Sequence, residues 1–178
     1  MKRLFLLRHA KTEQVNKDTP ADAARALTER GRKDSPRVGG AMREKGYQPD
    51  RILCSTSTRT RETWELANAE LHSSAKVEFV EALYAASARE IVQLVRGLPD
   101  SVKRPLLVGH NPGFEDCAAL LAGKAGDSVA RARFNSLTEK FPTAALVVLD
   151  FDIAKWKDLA PHTGALADFI RPKDLEEG

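Results

Sequence analysis

Two histidines of this 178-residue chain each stand directly behind an apolar run, and each has a neighbour suited to binding phosphate. Arg8-His9 follows Leu4-Phe5-Leu6-Leu7, and His110 follows Pro105-Leu106-Leu107-Val108-Gly109 and precedes Asn111-Pro112-Gly113. A third run, Arg51-Ile52-Leu53-Cys54, ends at Ser55, with Arg59 shortly beyond it. An imidazole can act as nucleophile or donor, and a guanidinium grips an oxyanion with paired N–H groups. A helix start adds free N–H groups and the positive end of a dipole. Any one of these is weak, because a lone histidine at a strand end is usually structural. The set points to phosphoryl chemistry.

Those residues need a scaffold that brings them to one edge. Leu4 to Leu7, Arg51 to Cys54, Lys76 to Val80, Pro105 to Gly109 and Thr143 to Asp150 read as strands, with a short sixth at Ala167 to Arg171. Their continuous apolar character fits a parallel sheet covered on both faces. Thr143 to Asp150, the most apolar, is expected at the sheet centre. Helices are expected from Leu27-Thr28, with Thr28 as N-cap, to a stop at Gly46, and over Thr58 to Leu71, Ala88 to Leu98 and Asn111 to Leu121. Ile91, Leu94, Val95 and Leu98 share one helical face. Asn111 is expected as N-cap and Pro112 at the first helical position. Gly31, Pro36, Gly39 and Gly40 lead to an irregular start for the first helix. Asp18, Thr19 and Pro20 mark a turn, and residues 123 to 141 a connection without assigned structure. Strand alternating with helix gives an α/β fold of three layers, α/β/α, around a mostly parallel sheet. Ligands of such sheets sit outside the carboxyl ends of the strands, where Arg8, His9, Ser55, Arg59 and His110 all fall.

Composition narrows the classes. With 42% hydrophobic and 30% charged residues the chain is globular, and its length suits one domain, residues 1–178. No apolar run reaches the roughly 18 residues that a membrane span needs, and Leu4 to Leu7 is too short for a signal peptide. A cytoplasmic location is expected. Cys54 and Cys117 make no disulfide framework, and no metal cluster adjoins the motifs. Residues 1 to 64 carry 15 Lys and Arg against 8 Asp and Glu, whereas the rest carries 13 against 17. That bias favours an anionic partner for the N-terminal part, although Arg30, Arg32, Lys33, Arg37, Arg43 and Lys45 also read as a solvated helix face. Aromatics make up only 6%, too few for a stacking nucleic-acid surface.

Leu7-Arg8-His9-Ala10 resembles the Arg-His-Gly signature of the histidine phosphatase superfamily, the phosphoglycerate mutase-like fold. Ser55-Thr56-Ser57-Thr58-Arg59-Thr60-Arg61-Glu62-Thr63 resembles its Ser-x-x-x-Arg-Ala-x-x-Thr element, and Gly109-His110-Asn111-Pro112-Gly113 its second-histidine motif. Leu27-Thr28-Glu29-Arg30-Gly31-Arg32 and Phe141-Pro142-Thr143-Ala144-Ala145 resemble the SixA-type phosphohistidine phosphatases. The resemblance implies that His9 is the nucleophile, forming a phosphohistidine intermediate that water hydrolyses. It implies that Arg8, Arg59 and His110 surround the phosphoryl oxygens without metal or other cofactor, with Ser55 as a secondary phosphate donor or simply a cap. In the superfamily a carboxylate after the third strand protonates the leaving group, a role the SixA-type branch is thought to do without. Glu81 stands in that place and reads equally as a general acid or a surface carboxylate. A leaving imidazole needs less help than an alkoxide.

Ala10 replaces the motif glycine, so a positive φ is disfavoured and a modest change in the loop is expected. Lys11 and Val15 depart from the mutase pattern, and the chain lacks length for a mutase cap, implying a shallow, open pocket. Other phosphatase chemistries fit poorly. Cys54 and Arg59 are one residue too close for Cys-x₅-Arg, and only a short tail follows Asp150-Phe151-Asp152. No Walker motif occurs. His72, His162 and Arg61 are expected at the surface, Trp64 in the core, and Pro172 to Gly178 as a frayed tail. The expected partner is a phosphorylated protein, with a phosphohistidine phosphatase as the leading function. A small-molecule phosphomonoesterase of the same mechanism and a non-enzymatic phosphate-recognising module are the alternatives.

Overall fold

Alternation within the first strand, β1 (Lys2–Arg8), divides the interior into two cores. Leu4 and Leu6 pack on one side, Phe5 and Leu7 on the other, all buried. The computed structural model describes residues 1–15, 21–124 and 126–176. The turn expected at Asp18 to Pro20 lies outside them.

On the Phe5 side lie α1 (Glu29–Glu44) and α2 (Thr58–Leu71), which contribute Val38, Met42, Trp64 and Leu71. On the Leu4 side lie α3 (Ala88–Arg96), α4 (Gly113–Leu121) and α5 (Ser128–Glu139), contributing Ile91, Val95, Phe114, Cys117, Leu121 and Leu137. The three-layer expectation holds. α5 fills the connection to which the sequence reading gave no structure; its start is capped by Asp127, which accepts from the Ala130 N–H.

Between the layers runs a sheet of β1, β2 (Arg51–Ser55), β3 (Lys76–Val80), β4 (Pro105–Gly109), β5 (Leu146–Phe151) and β6 (Ala165–Ile170) in the order β3-β2-β4-β1-β5-β6. The pairs β3-β2, β2-β4 and β4-β1 are parallel, and β5 runs antiparallel to both β1 and β6. The mostly parallel sheet is as expected, but the most apolar strand is not at its centre. β5 is apolar because it is covered on both faces and flanked by β1 and β6, which requires only an interior position. It also starts at Leu146: Ala144 has φ 61 and turns the chain before it.

Helix α1 keeps the expected cap, with the Thr28 hydroxyl accepting from the Gly31 N–H, and Gly46 follows it at φ 73. The expected irregular start is absent, and the helix is continuous through Pro36. Its glycines are there for contact. A Cβ on Gly39 would stand 1.9 Å from the Ala67 carbonyl oxygen, and one on Gly31 2.3 Å from that of Lys11. Glycine thus brings α1 against α2 and against the segment following His9. At the opposite end, Trp156 is fully buried and donates to the Val102 carbonyl at 2.6 Å. The tail is ordered at its start, where Pro172–Asp174 forms a turn closed by the Arg171–Asp174 ion pair. No helix among the described residues is long and apolar enough to cross a membrane.

Candidate active site

Strands β2, β4 and β1 are neighbours and parallel, so their carboxyl ends share one rim. Register does the rest. Arg8 lies level with Gly109, and the His9 N–H extends the ladder to the Gly109 carbonyl at 2.9 Å. His9 and His110 therefore leave the sheet side by side, their ring centroids 5.4 Å apart and tilted by 56°. Arg59 arrives from the first turn of α2, whose start is capped by Ser57. His9, His110, Arg59 and Ser55 are all buried despite their polarity.

Each of these side chains is held by a specific partner. His9 Nδ1 lies 2.8 Å from the Ala10 carbonyl oxygen, which can only accept, so Nδ1 carries the proton and Nε2 keeps its lone pair. The Ala10 N–H donates to the Thr63 hydroxyl at 2.9 Å, and that hydroxyl donates to the Arg59 carbonyl at 2.7 Å. Arg59 and the loop behind the nucleophile are thus tied through one α2 residue. His110 Nε2 and Ser55 Oγ are 2.8 Å apart. Arg8 Nη1 donates to the Phe141 carbonyl at 2.9 Å, an acceptor shared with Asn111 Nδ2 at 3.2 Å. Ala10 keeps an ordinary negative φ, so replacing the motif glycine imposes no strain at that position.

Electrostatically the site is a cationic floor with two neutral imidazoles. Burial, opposed by the Ala10 hydrogen bond and reinforced by the Arg8 charge, lowers the His9 pKa to about 3. Burial and the Arg59 charge bring His110 down to about 4. Burial also lowers the Arg8 pKa. Among the described residues, Arg8 Nε, Arg59 Nε and His110 Nδ1 are buried without a hydrogen-bond partner. Among the described residues no three His, Cys, Asp or Glu side chains are grouped so as to hold a metal ion.

On the Arg59 and His110 side of this group opens a cavity of about 450 Å³, bordered by those two residues and by Asp22, Tyr84 and Asp116; His9 lies behind the His110 ring and, like Arg8, is not part of its border. Its walls also include Ala86 and Gly113, and a Cβ on Gly113 would stand 2.1 Å from the Ala86 carbonyl oxygen. Glu81 is exposed and does not border the cavity. The residue that follows it into the site from the same turn is Tyr84. Arg61, expected at the surface, is half-buried and lies 3.9 Å over the Phe79 ring, with its Nε donating to the Thr56 carbonyl. Asp22 was not singled out from the sequence. It accepts from the Tyr84 hydroxyl, Arg59 and Arg25; the Tyr84 hydrogen bond, followed by the Arg59 and Arg25 charges, lowers its pKa to about 2 against the opposing effect of burial. The aspartate stands in a loop without periodicity, and only the fold brings it to Arg59.

A family model described as the histidine phosphatase superfamily (branch 1) matches residues 4–90. An uncharacterized protein of Mycobacterium tuberculosis is 34% identical over 167 residues, covering 94% of this chain and 100% of that protein. Among solved structures, the chain is similar to a candidate phosphohistidine phosphatase SixA of Nakamurella multipartitia, with a TM-score of 0.81 and 25% identity over 96% of each chain. It is also similar to a candidate phosphohistidine phosphatase SixA of Agrobacterium tumefaciens, with a TM-score of 0.77 and 28% identity over 96% of this chain and 98% of that one.

Proposed function

The chain belongs to the histidine phosphatase superfamily (branch 1), SixA-type, and from that premise we propose that it removes phosphoryl groups from phosphohistidine on a protein, with His9 as nucleophile. The observation that carries this reading is the 2.8 Å contact between His9 Nδ1 and the Ala10 carbonyl. It leaves the Nε2 lone pair on a ring that lies beside His110 and feels the Arg8 and Arg59 charges. His9 is neutral at pH 7, since its pKa is about 3, so the lone pair is available without deprotonation.

Attack of Nε2 on phosphorus breaks the bond to the leaving group and forms a phosphohistidine on the enzyme. Arg8, Arg59 and His110 stabilise the charge on the phosphoryl oxygens, work that is positional and electrostatic. Water then hydrolyses the intermediate. Because two arginines supply the positive charge, the reaction runs without a metal, and residues 1–178 act as a single domain. Ser55 serves through His110, as its hydrogen-bond partner.

Protein phosphohistidine is favoured over a sugar phosphate by the similarity to two candidate phosphohistidine phosphatases and by the exposed position of Glu81. An alkoxide leaving group needs a proton donor there, whereas an imidazole with a protonated second nitrogen leaves neutral. The test is turnover of a phosphohistidine-containing peptide in the presence of EDTA, with trapping of labelled phosphate on the enzyme. His9→Ala is expected to abolish both turnover and labelling. Unchanged turnover in that variant overturns the reading.

A further inference from the structure

Phosphohistidine is a special leaving group. Its P–N bond breaks easily only if the ring's other nitrogen carries a proton, because the group then departs as neutral imidazole rather than imidazolate. His9 already meets the same requirement for the enzyme's own intermediate. Its Nδ1 proton is held on the Ala10 carbonyl, so hydrolysis at Nε2 releases a neutral ring. The substrate ring needs an equivalent acceptor on the cavity wall.

The carboxylates bordering the cavity are Asp22 and Asp116. Asp22 is fully engaged, with Arg25 on Oδ1 and with Arg59 and the Tyr84 hydroxyl on Oδ2. Asp116 is exposed in the first turn of α4, its own N–H donating to the Pro112 carbonyl. Among the described residues its carboxylate has neither an ion pair nor a hydrogen bond, although it borders the same cavity as Arg59. Positive floor and free negative wall match a substrate whose phosphoryl group is anionic and whose leaving ring is cationic.

We propose that Asp116 is a specificity-determining residue that accepts a hydrogen bond from the distal N–H of the substrate's phosphohistidine ring. This rests on the reading of the site as a phosphohistidine phosphatase. In the transfer step the P–N electron pair passes to the departing nitrogen, and the ring leaves neutral, keeping its distal N–H, which stays hydrogen-bonded to the Asp116 carboxylate. The phosphoryl group moves to His9 Nε2. Water then breaks that second P–N bond, giving inorganic phosphate and the original His9 tautomer. The other charged or titratable groups on the cavity border are Asp22, Arg59, Tyr84 and His110. Glu115 adjoins Asp116 on α4, while Arg89 and Glu90 on α3 and Arg131 and Arg133 on α5 do not border the cavity.

The experiment compares kcat/KM on a phosphohistidine peptide with kcat/KM on p-nitrophenyl phosphate, for the wild-type protein, Asp116→Asn and Asp116→Glu. At pH 8 a free substrate ring is mostly unprotonated, since imidazole titrates near about 6.5. The ratio is expected to fall about ten-fold or more in Asp116→Asn there, the size of a hydrogen bond to a charged group. It should recover toward the wild-type ratio at a pH of about 5.5, where the ring is protonated without help, and Asp116→Glu should restore part of it. A ratio unchanged at pH 8, or lowered equally at both pH values, overturns the proposal and leaves the His9 mechanism standing. Failure of the wild-type protein to use the peptide, with His9-dependent turnover of p-nitrophenyl phosphate, sinks the phosphohistidine reading itself.

Discussion

Arg59 gives both terminal nitrogens to one residue: Nη1 donates to the Asp22 carbonyl at 3.0 Å and Nη2 to its carboxylate at 3.1 Å. The guanidinium lies 5.6 Å from the Tyr84 ring centroid, and the Tyr84 hydroxyl donates to the same carboxylate. A turn at Asp22–Ala24, the start of α2 and the turn at Glu81–Leu83 are thereby locked together around one cation. Asp22 is a positioning residue, with its proton-accepting capacity spent on three donors.

Asp22→Ala should therefore separate binding from turnover. Removing a carboxylate makes the floor more positive, so KM for a phosphorylated substrate and the inhibition constant for vanadate should stay level or fall. Without the clamp Arg59 samples other rotamers, and kcat should drop about ten-fold, a fraction of what misplacing a catalytic group by an ångström can cost. Steady-state kinetics decide it. A raised KM with kcat intact would mean that Asp22 contributes to binding and does not hold Arg59 in place.

Thr63 joins the nucleophile loop to α2 through the Ala10 N–H. Thr63→Val keeps the branched shape but strands that buried N–H, at a cost of about 1–3 kcal/mol. Urea unfolding should register this loss. kcat should fall with it, because the Ala10 carbonyl that fixes the His9 tautomer belongs to the same residue. Thr63→Ser should restore much of both, and a stable but inactive Thr63→Ser variant would contradict this.

Acid should weaken the fold through its active site. His9 and His110 have folded-state pKa values of about 3 and about 4, below the ordinary 6.5. As pH falls below about 6.5 the unfolded chain takes up protons that the folded protein refuses. Stability is thus fully present above that pH and is lost as it falls toward the folded values. The slope is about 1.4 kcal/mol per pH unit for a deeply buried imidazole such as His9 and smaller for His110 at the cavity wall. Tm measured from pH 7 to pH 4 should decline, and His110→Ala should flatten the decline. An identical profile in that variant would show that His110 does not contribute.

Much of this site was legible in one dimension. Arg8, His9, Ser55 and His110 each sit at the end of an apolar run, and a parallel sheet gathers such ends on one rim. Thr28, Gly46 and the bounds of α2 and β3 also followed from local rules of capping and pattern. Glu81 shows where that method stops, since it left an acid and a surface carboxylate equally open. Its place after β3 was right for an acid, yet the turn at Glu81–Leu83 leaves it exposed and brings Tyr84 to the cavity instead. Topological position says which element a residue follows; it says nothing of where the side chain points.

Read alone, the chain determined its alternating elements and the identity of the groups that could handle phosphate, because hydrophobic period and capping are properties of neighbouring residues. Only the tertiary structure decided that β2, β4 and β1 stand side by side, that Asp22 clamps Arg59, that Gly39 lets α1 touch α2, and that Asp116 has no partner among the described residues. These depend on strand order, register and helix approach. Those quantities are set by packing between segments far apart along the chain, and no local window contains them.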